Sequence, residues 1–147
     1  MGGIIGRDST TSGHSGNLVN YGDLHIEKEG SNSNNGYIGG ICGWMKGTLR
    51  GAKCSCTVSG WGCSNVGMIV GNVRTDATKA TNCQVAGTID RGYWNTNKWD
   101  DEADGVVPGW DSRPVTLTAD NFYNYIYSSA VDASVAEGDG CSFYTAE

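Results

Sequence analysis

The sequence predicts an all-β protein: a short right-handed parallel β-solenoid (β-helix) of about three coils, with a C-terminal cap containing one short helix. Three observations predict it. A short apolar run bracketed by glycine occurs at residues 2–6 (GGIIG), 37–43 (YIGGICG) and 66–71 (VGMIVG). Each copy is followed by a variable stretch and a second, weaker apolar run. The composition suits many short strands joined by tight corners, with 23 glycines, two prolines and much Asn, Ser and Thr.

In the first unit, residues 2–26, the bracketed run leads into a polar, turn-like stretch at 7–16 (RDSTTSGHSG). Leu18, Val19, Leu24 and Ile26 form the second apolar patch. Residues 27–36 (EKEGSNSNNG) contain no apolar side chain and read as an exposed loop. In the second unit, 37–62, Cys54, Cys56 and Val58 alternate with Ser55, Thr57 and Ser59, the period-two pattern of a strand with one buried face. In the third, 66–89, a polar stretch at 74–81 separates the bracketed run from a second strand at 82–89. The bracket glycines Gly6, Gly43 and Gly71 are 37 and 28 residues apart, the longer interval containing the 27–36 insertion.

A period of this length built from short strands points to a solenoid. One coil cannot bury its apolar run alone; stacking coils at about 4.8 Å pairs each strand with its copies and makes a continuous core. Equivalent side chains then fall in columns: Ile4, Ile41 and Ile69 in one, Ile5, Cys42 and Val70 in the next. Glycine serves corners that need positive φ or close backbone approach. Right-handedness follows from the general preference of parallel crossovers. An antiparallel β-sandwich with glycine-rich hairpins is the alternative, and the repeat argues against it.

Gly39-Gly40-Ile41-Cys42-Gly43, together with Asn82-Cys83-x3-Gly87-x-Ile89, resembles the GLUG-type repeat, a short glycine-rich repeat of large bacterial surface proteins frequent in gut Bacteroidetes. The resemblance covers residues 2–89. Unit three is closest; unit two has Lys53-Cys54, and unit one Asn20-Tyr21, where Asn-Cys is expected. It implies a β-solenoid of surface-protein type and an extracellular or cell-surface location. It carries no catalytic residues.

The repeat stops after Ile89. Residues 90–117 form an aromatic and acidic loop region with one further strand at Val115-Thr116-Leu117. Residues 118–147 read as the C-terminal cap. There Thr118 is placed to N-cap a short helix whose Phe122, Tyr125 and Ile126 share one face. Such a cap covers an otherwise open strand edge. The chain starts within a repeat and lacks a comparable N-terminal cap, so a longer parent protein is expected.

Composition narrows the function classes. The net charge is −6, and the ten basic residues are scattered, so nucleic acid is a poor partner. No apolar run reaches the roughly 20 residues that span a bilayer. Six cysteines admit up to three disulfides, but Cys54-x-Cys56 lacks zinc-ligand spacing. Cys54 and Cys83 are expected in equivalent slots of adjacent coils, where stacked side chains disfavour the disulfide dihedral, so most thiols are expected free and buried.

Two constellations carry chemistry. Tyr93, Trp94, Trp99 and Trp110 lie among carboxylates and amides, the setting in which sugar rings are held. The same rings could instead seal the solenoid end, the favoured reading for large aromatic surfaces. Asp100, Glu102, Asp104 and Asp111 occupy positions 1, 3, 5 and 12 of a calcium loop, with Gly105 at position 6. Position 3 is normally Asp or Asn and position 12 Glu, and flanking helices are missing, so a solvated acidic loop is favoured over calcium. Polysaccharide-cleaving β-helices need carboxylates aligned with a basic residue. Arg7, Arg50 and Arg74 are read in turns without such a column, and His14 and His25 lie in separate segments. The expected function is therefore non-enzymatic: an adhesive, structural or partner-displaying module, with a glycan or a surface protein as partner. The chain is expected to be a monomer or part of a longer chain. A carbohydrate-binding module is the alternative and a polysaccharide-cleaving enzyme fragment the third reading.

Overall fold

The computed structural model describes residues 1–10, 13–16, 18–28, 34–73 and 79–145, with only the backbone described at 14, 15, 34 and 35. The fold is all-β. The first unit contributes β1 (Ile5–Asp8), β2 (His14–Ser15), β3 (Val19–Asn20) and β4 (Leu24–Glu27). The second contributes β5 (Asn34–Gly39), β6 (Cys42–Met45), β7 (Thr48–Arg50) and β8 (Lys53–Trp61). The third contributes β9 (Cys63–Gly67), β10 (Val70–Val73), β11 (Lys79–Thr81) and β12 (Gln84–Asp90). There follow β13 (Tyr93–Asp100), β14 (Gly105–Asp111), β15 (Pro114–Thr116), a 3-10 turn (Phe122–Asn124), α1 (Ala133–Gly138) and β16 (Ser142–Phe143).

The units pair in parallel, like with like. Strand β6 lies between β1 and β10, aligning Ile5, Cys42 and Val70 as the repeat predicts. Strand β7 lies between β2 and β11. Strand β8 lies between β12 on one side and β3 with β4 on the other, and β5 pairs with β9. Ile38, Ile41, Met45, Leu49, Met68 and Ile69 are fully buried between these ladders. The alternation in β8 holds through Val58, with Cys54, Cys56 and Val58 buried, but Ser59, expected on the outer face, is buried as well.

The first glycine of each bracket is needed for space rather than for positive φ. A Cβ on Gly2, Gly39 or Gly67 would lie 1.9, 2.1 or 2.1 Å from the carbonyl oxygen three residues later, on Ile5, Cys42 or Val70. The chain folds back on itself there too tightly for any side chain.

The column beginning at Ile4 is deeper than three rungs. Ile4 and Ile5 N–H donate to Ile41 O, Ile41 and Cys42 N–H to Ile69 O, and Ile69 and Val70 N–H to Ile126 O. Residues 125–126 thus continue the pattern instead of forming the expected helix. The competing interactions are visible. Tyr125 O accepts from Met68 N–H, while Thr118 and Asn121 engage each other locally, Thr118 N–H donating to Asn121 Oδ1 at 2.7 Å. Sheet-type pairing and local side-chain turns override the helical spacing. The helix forms later, at Ala133–Gly138, where the Asp132 side chain accepts from Ser134 N–H. Ile4, at the open end of its column, is 44% exposed.

Other expectations are also corrected. Cys54 aligns with Val85, not Cys83. Cys83 lies two residues earlier, and its neighbour Gln84 donates to Ala52 O. A two-residue slip keeps every side chain on its face, so the apolar pattern could not fix the register. Arg7 and Arg50 lie in strands β1 and β7 rather than in turns; Arg74, with most of the 74–81 stretch, lies outside the described residues. The 27–36 loop is shorter than expected, because β4 runs through Glu27 and β5 begins at Asn34; its remaining core, 29–33, also lies outside the described residues. The strand near Val115 is present but antiparallel to β12. The region expected as an aromatic loop is instead the antiparallel β13–β14 hairpin. Among the described residues, no helix is long and apolar enough to cross a membrane.

Candidate functional site

The chemistry-bearing residues gather where the chain leaves the parallel ladders, after β12. Strands β13 and β14 pair Tyr93 with Asp111, Trp94 with Trp110 and, beyond a bulge, Trp99 with Val106. Directly paired residues share a face. On one face the Trp94 and Trp110 rings meet edge-on at 5.0 Å, and Trp110 continues to Trp61 of β8 at 6.4 Å. Trp61 in turn meets His25 of β4 at 4.8 Å. The Trp110 Nε1–H donates to Lys28 O at 2.8 Å. Trp94 and Trp110 therefore fasten the hairpin base to the ladders, and Trp110 is buried. Trp99 is different: at the far end it is 68% exposed, beside Val106.

On the opposite face Asn95 donates to Asp111, and Lys98 pairs with Asp111 at 3.0 Å while donating to Trp110 O. Hydrogen bonds from Asn95 and Lys98 hold the Asp111 carboxyl below its ordinary pKa. Asp111 lies at the hairpin base and Asp100 at its turn, where Asp100 Oδ1 caps the N–H groups of Glu102 and Ala103. The seven residues of β14 separate the two ends by about 20 Å at strand rise. The structure thus keeps Asp100, Glu102 and Asp104 near one turn and does not bring Asp111 to them. Among the described residues no three His, Cys, Asp or Glu side chains form a metal-sized cluster.

The sequence reading missed Asp90, Arg91 and Arg113. Asp90, at the end of β12, is 4% exposed. It accepts from Gly92 N–H and Arg113 N–H, each at 2.8 Å, and from the Ser112 hydroxyl. Burial alone would raise its carboxyl, but these hydrogen bonds outweigh burial and hold it below the ordinary value. They also fix the chain's exit from β12 and its return into β15. Arg91 and Arg113 flank this joint and line two adjacent cavities. One, of about 350 Å³, adds Cys63, Ser64 and Tyr93; the other, of about 240 Å³, adds Ile89, Val115 and Tyr125. The Arg113 guanidinium lies 4.2 Å from the Tyr93 ring centre, and Arg91 lies 5.9 Å from that of Tyr125. The available signal was two Arg residues flanking the strand joints in Asp90-Arg91-Gly92 and Ser112-Arg113-Pro114, without a spacing that reveals their meeting.

The six cysteines are buried free thiols. Cys54 and Cys56 sulfurs lie 3.3 Å apart; contact with Cys56 and burial keep the Cys54 thiol protonated. Burial pushes Cys42 up to about 11. Contact with Cys54 lowers the Cys56 thiol and contact with Cys83 lowers that of Cys141, while burial raises Cys63.

No protein-family model matches this chain, and no match is found among the curated proteins or the solved structures.

Proposed function

We propose that the parallel ladders are the coils of a short right-handed β-solenoid of GLUG type. In this reading residues 118–147 cover its last coil, and the whole is a non-enzymatic module of a bacterial cell-surface or secreted protein. The module's task is display. A filled, rigid stack holds the β13–β14 hairpin outward as the element that meets a partner. Exposure of Trp99 at the hairpin tip carries this reading, because its neighbours Trp94 and Trp110 are committed to the stack. Large exposed aromatic side chains are costly in water and are common at recognition surfaces.

A glycan is the second reading for that partner. Exposure of both Tyr93 and Trp99 favours it, since each leaves a ring accessible. Binding of the purified chain to a glycan panel and to immobilised surface proteins tests both. A Trp99→Ala variant is expected to lose at least about tenfold in affinity, the scale of an interface anchor. Retained glycan signal in Trp99→Ala would remove the hairpin tip from the glycan reading. Retained binding of that variant to every partner would remove the display reading.

A further inference from the structure

We propose that Arg91 and Arg113 form a binding site for an oxyanion group, a carboxylate, sulfate or phosphate, carried on a ligand about the size of a monosaccharide. Three observations carry it, and none depends on the hairpin tip.

The first is register. Strands β12 and β15 pair Thr88 with Thr116, Ile89 with Val115 and Asp90 with Pro114, so the next positions in line are Arg91 and Arg113. Like charges directly opposite on an antiparallel pair repel. The chain brings two arginines to this joint, just past the last pair and lining the same two cavities, although its acidic residues outnumber basic ones, 16 to 10.

The second is incomplete internal neutralisation. Among the described residues neither guanidinium has a carboxylate within ion-pair distance, although Asp111 lies near enough to feel the charge of Arg113. Asp90 spends its oxygens on Ser112, Arg113 N–H and Gly92 N–H, and Asp111 on Lys98 and Asn95. Arg91 is steadied by Val66 O and Ser128 O, both through one terminal nitrogen, which leaves its other N–H groups for a ligand.

The third is space. Both arginines line both cavities, of about 350 and 240 Å³, so an anion between them has room for a small carrier on either side. Tyr93 and Tyr125 stack on the cations and limit their rotamers, which favours bidentate capture.

The test titrates the purified chain at low ionic strength with sodium glucuronate, sodium sulfate and sodium phosphate, with glucose as the uncharged probe. Arginine Nε–H resonances and the melting temperature are followed. The expected result is a saturable shift of both arginine resonances by at least one anion, none by glucose, and a rise in melting temperature. Arg113→Gln is the decisive variant, because among the described residues its guanidinium makes a ring contact with Tyr93 and a charge interaction with Asp111 but no side-chain hydrogen bond, so the fold should survive. It should weaken anion binding by at least about tenfold, the loss of a charge-assisted pair. Preference for glucuronate assigns a carboxylate carrier; preference for sulfate or phosphate assigns an esterified one. No saturable shift with any of the three, or equal titration of parent and Arg113→Gln, overturns the site.

Discussion

The parallel ladders and the β13–β14 hairpin solve the problem of burial in opposite ways. In the ladders β6, β7 and β8 of the middle unit have counterparts on both sides, and Ile41, Met45, Leu49 and Ile69 lose all contact with water. The hairpin has only its own two strands, and its tip leaves Trp99 and Val106 68% and 49% exposed. A lone two-stranded ribbon is marginal in water. This one is held at its base by the Trp94–Trp110–Trp61 ring contacts and by the Asp90 joint. The contrast teaches that repetition supplies the stability, while the departure from repetition supplies the unusual chemistry. The Arg91–Arg113 pair, the exposed Trp99 and the acidic turn lie beyond the end of β12.

If that division is right, the heaviest damage comes from within the column. Ile41→Ala should cost about 4 kcal/mol, because the side chain is fully buried between two further rungs and the cavity cannot close. Ile4→Ala, in the same column but 44% exposed, should cost under about 1 kcal/mol. Urea unfolding of both variants measures the difference. Equal costs would mean that the column is not a continuous stack.

Asp90→Asn tests the joint itself. Asn keeps Oδ1 for the Gly92 and Arg113 N–H groups and its NH2 reverses the Ser112 bond, so the loss is that of the charge in these bonds, about 1–2 kcal/mol at neutral pH. The sign with pH follows from the lowered carboxyl. Its contribution is complete above the ordinary value of 3.8 and is lost as pH falls from there through the lower folded value. The gap between parent and variant should therefore narrow in acid, as read by unfolding at a series of pH values. A gap that stays constant down to full protonation would assign the effect to packing rather than to charge.

What was legible in the sequence divides along the same line. The bracketed runs gave the Ile5–Cys42–Val70 rung and the buried face of β8, because glycine spacing and period two are local signals. The fourth rung was not legible. Phe122, Tyr125 and Ile126 have helical spacing, and only the free edge at Met68–Val70 draws Tyr125 and Ile126 into a further rung. The Cys54–Val85 register was hidden by the parity of the strand, which treats a slip of two residues as equivalent. At the site, the aromatic cluster could be seen in composition, but its division into fasteners and an exposed tip depends on the hairpin register. Arg91 and Arg113, 22 positions apart, meet only because β15 returns antiparallel to β12.

The smallest effect on stability should fall on the hairpin tip, and the gradation from hairpin base to tip sharpens the comparison. Trp110→Phe keeps a ring but removes the N–H donated to Lys28 O and part of the contact with Trp61, so about 2 kcal/mol is expected. Trp99→Ala removes a larger hydrophobic surface yet should change stability by less than about 0.5 kcal/mol, since that surface is already in water. Denaturant midpoints of the two variants, with slopes checked for equality, measure both. The pair separates two roles that composition alone makes identical. A tryptophan that matters to the fold and one that is free for a partner differ only in which end of the β13–β14 ladder they occupy. A cost for Trp99→Ala as large as that for Trp110→Phe would mean that the tip is packed against the body and is not the displayed element.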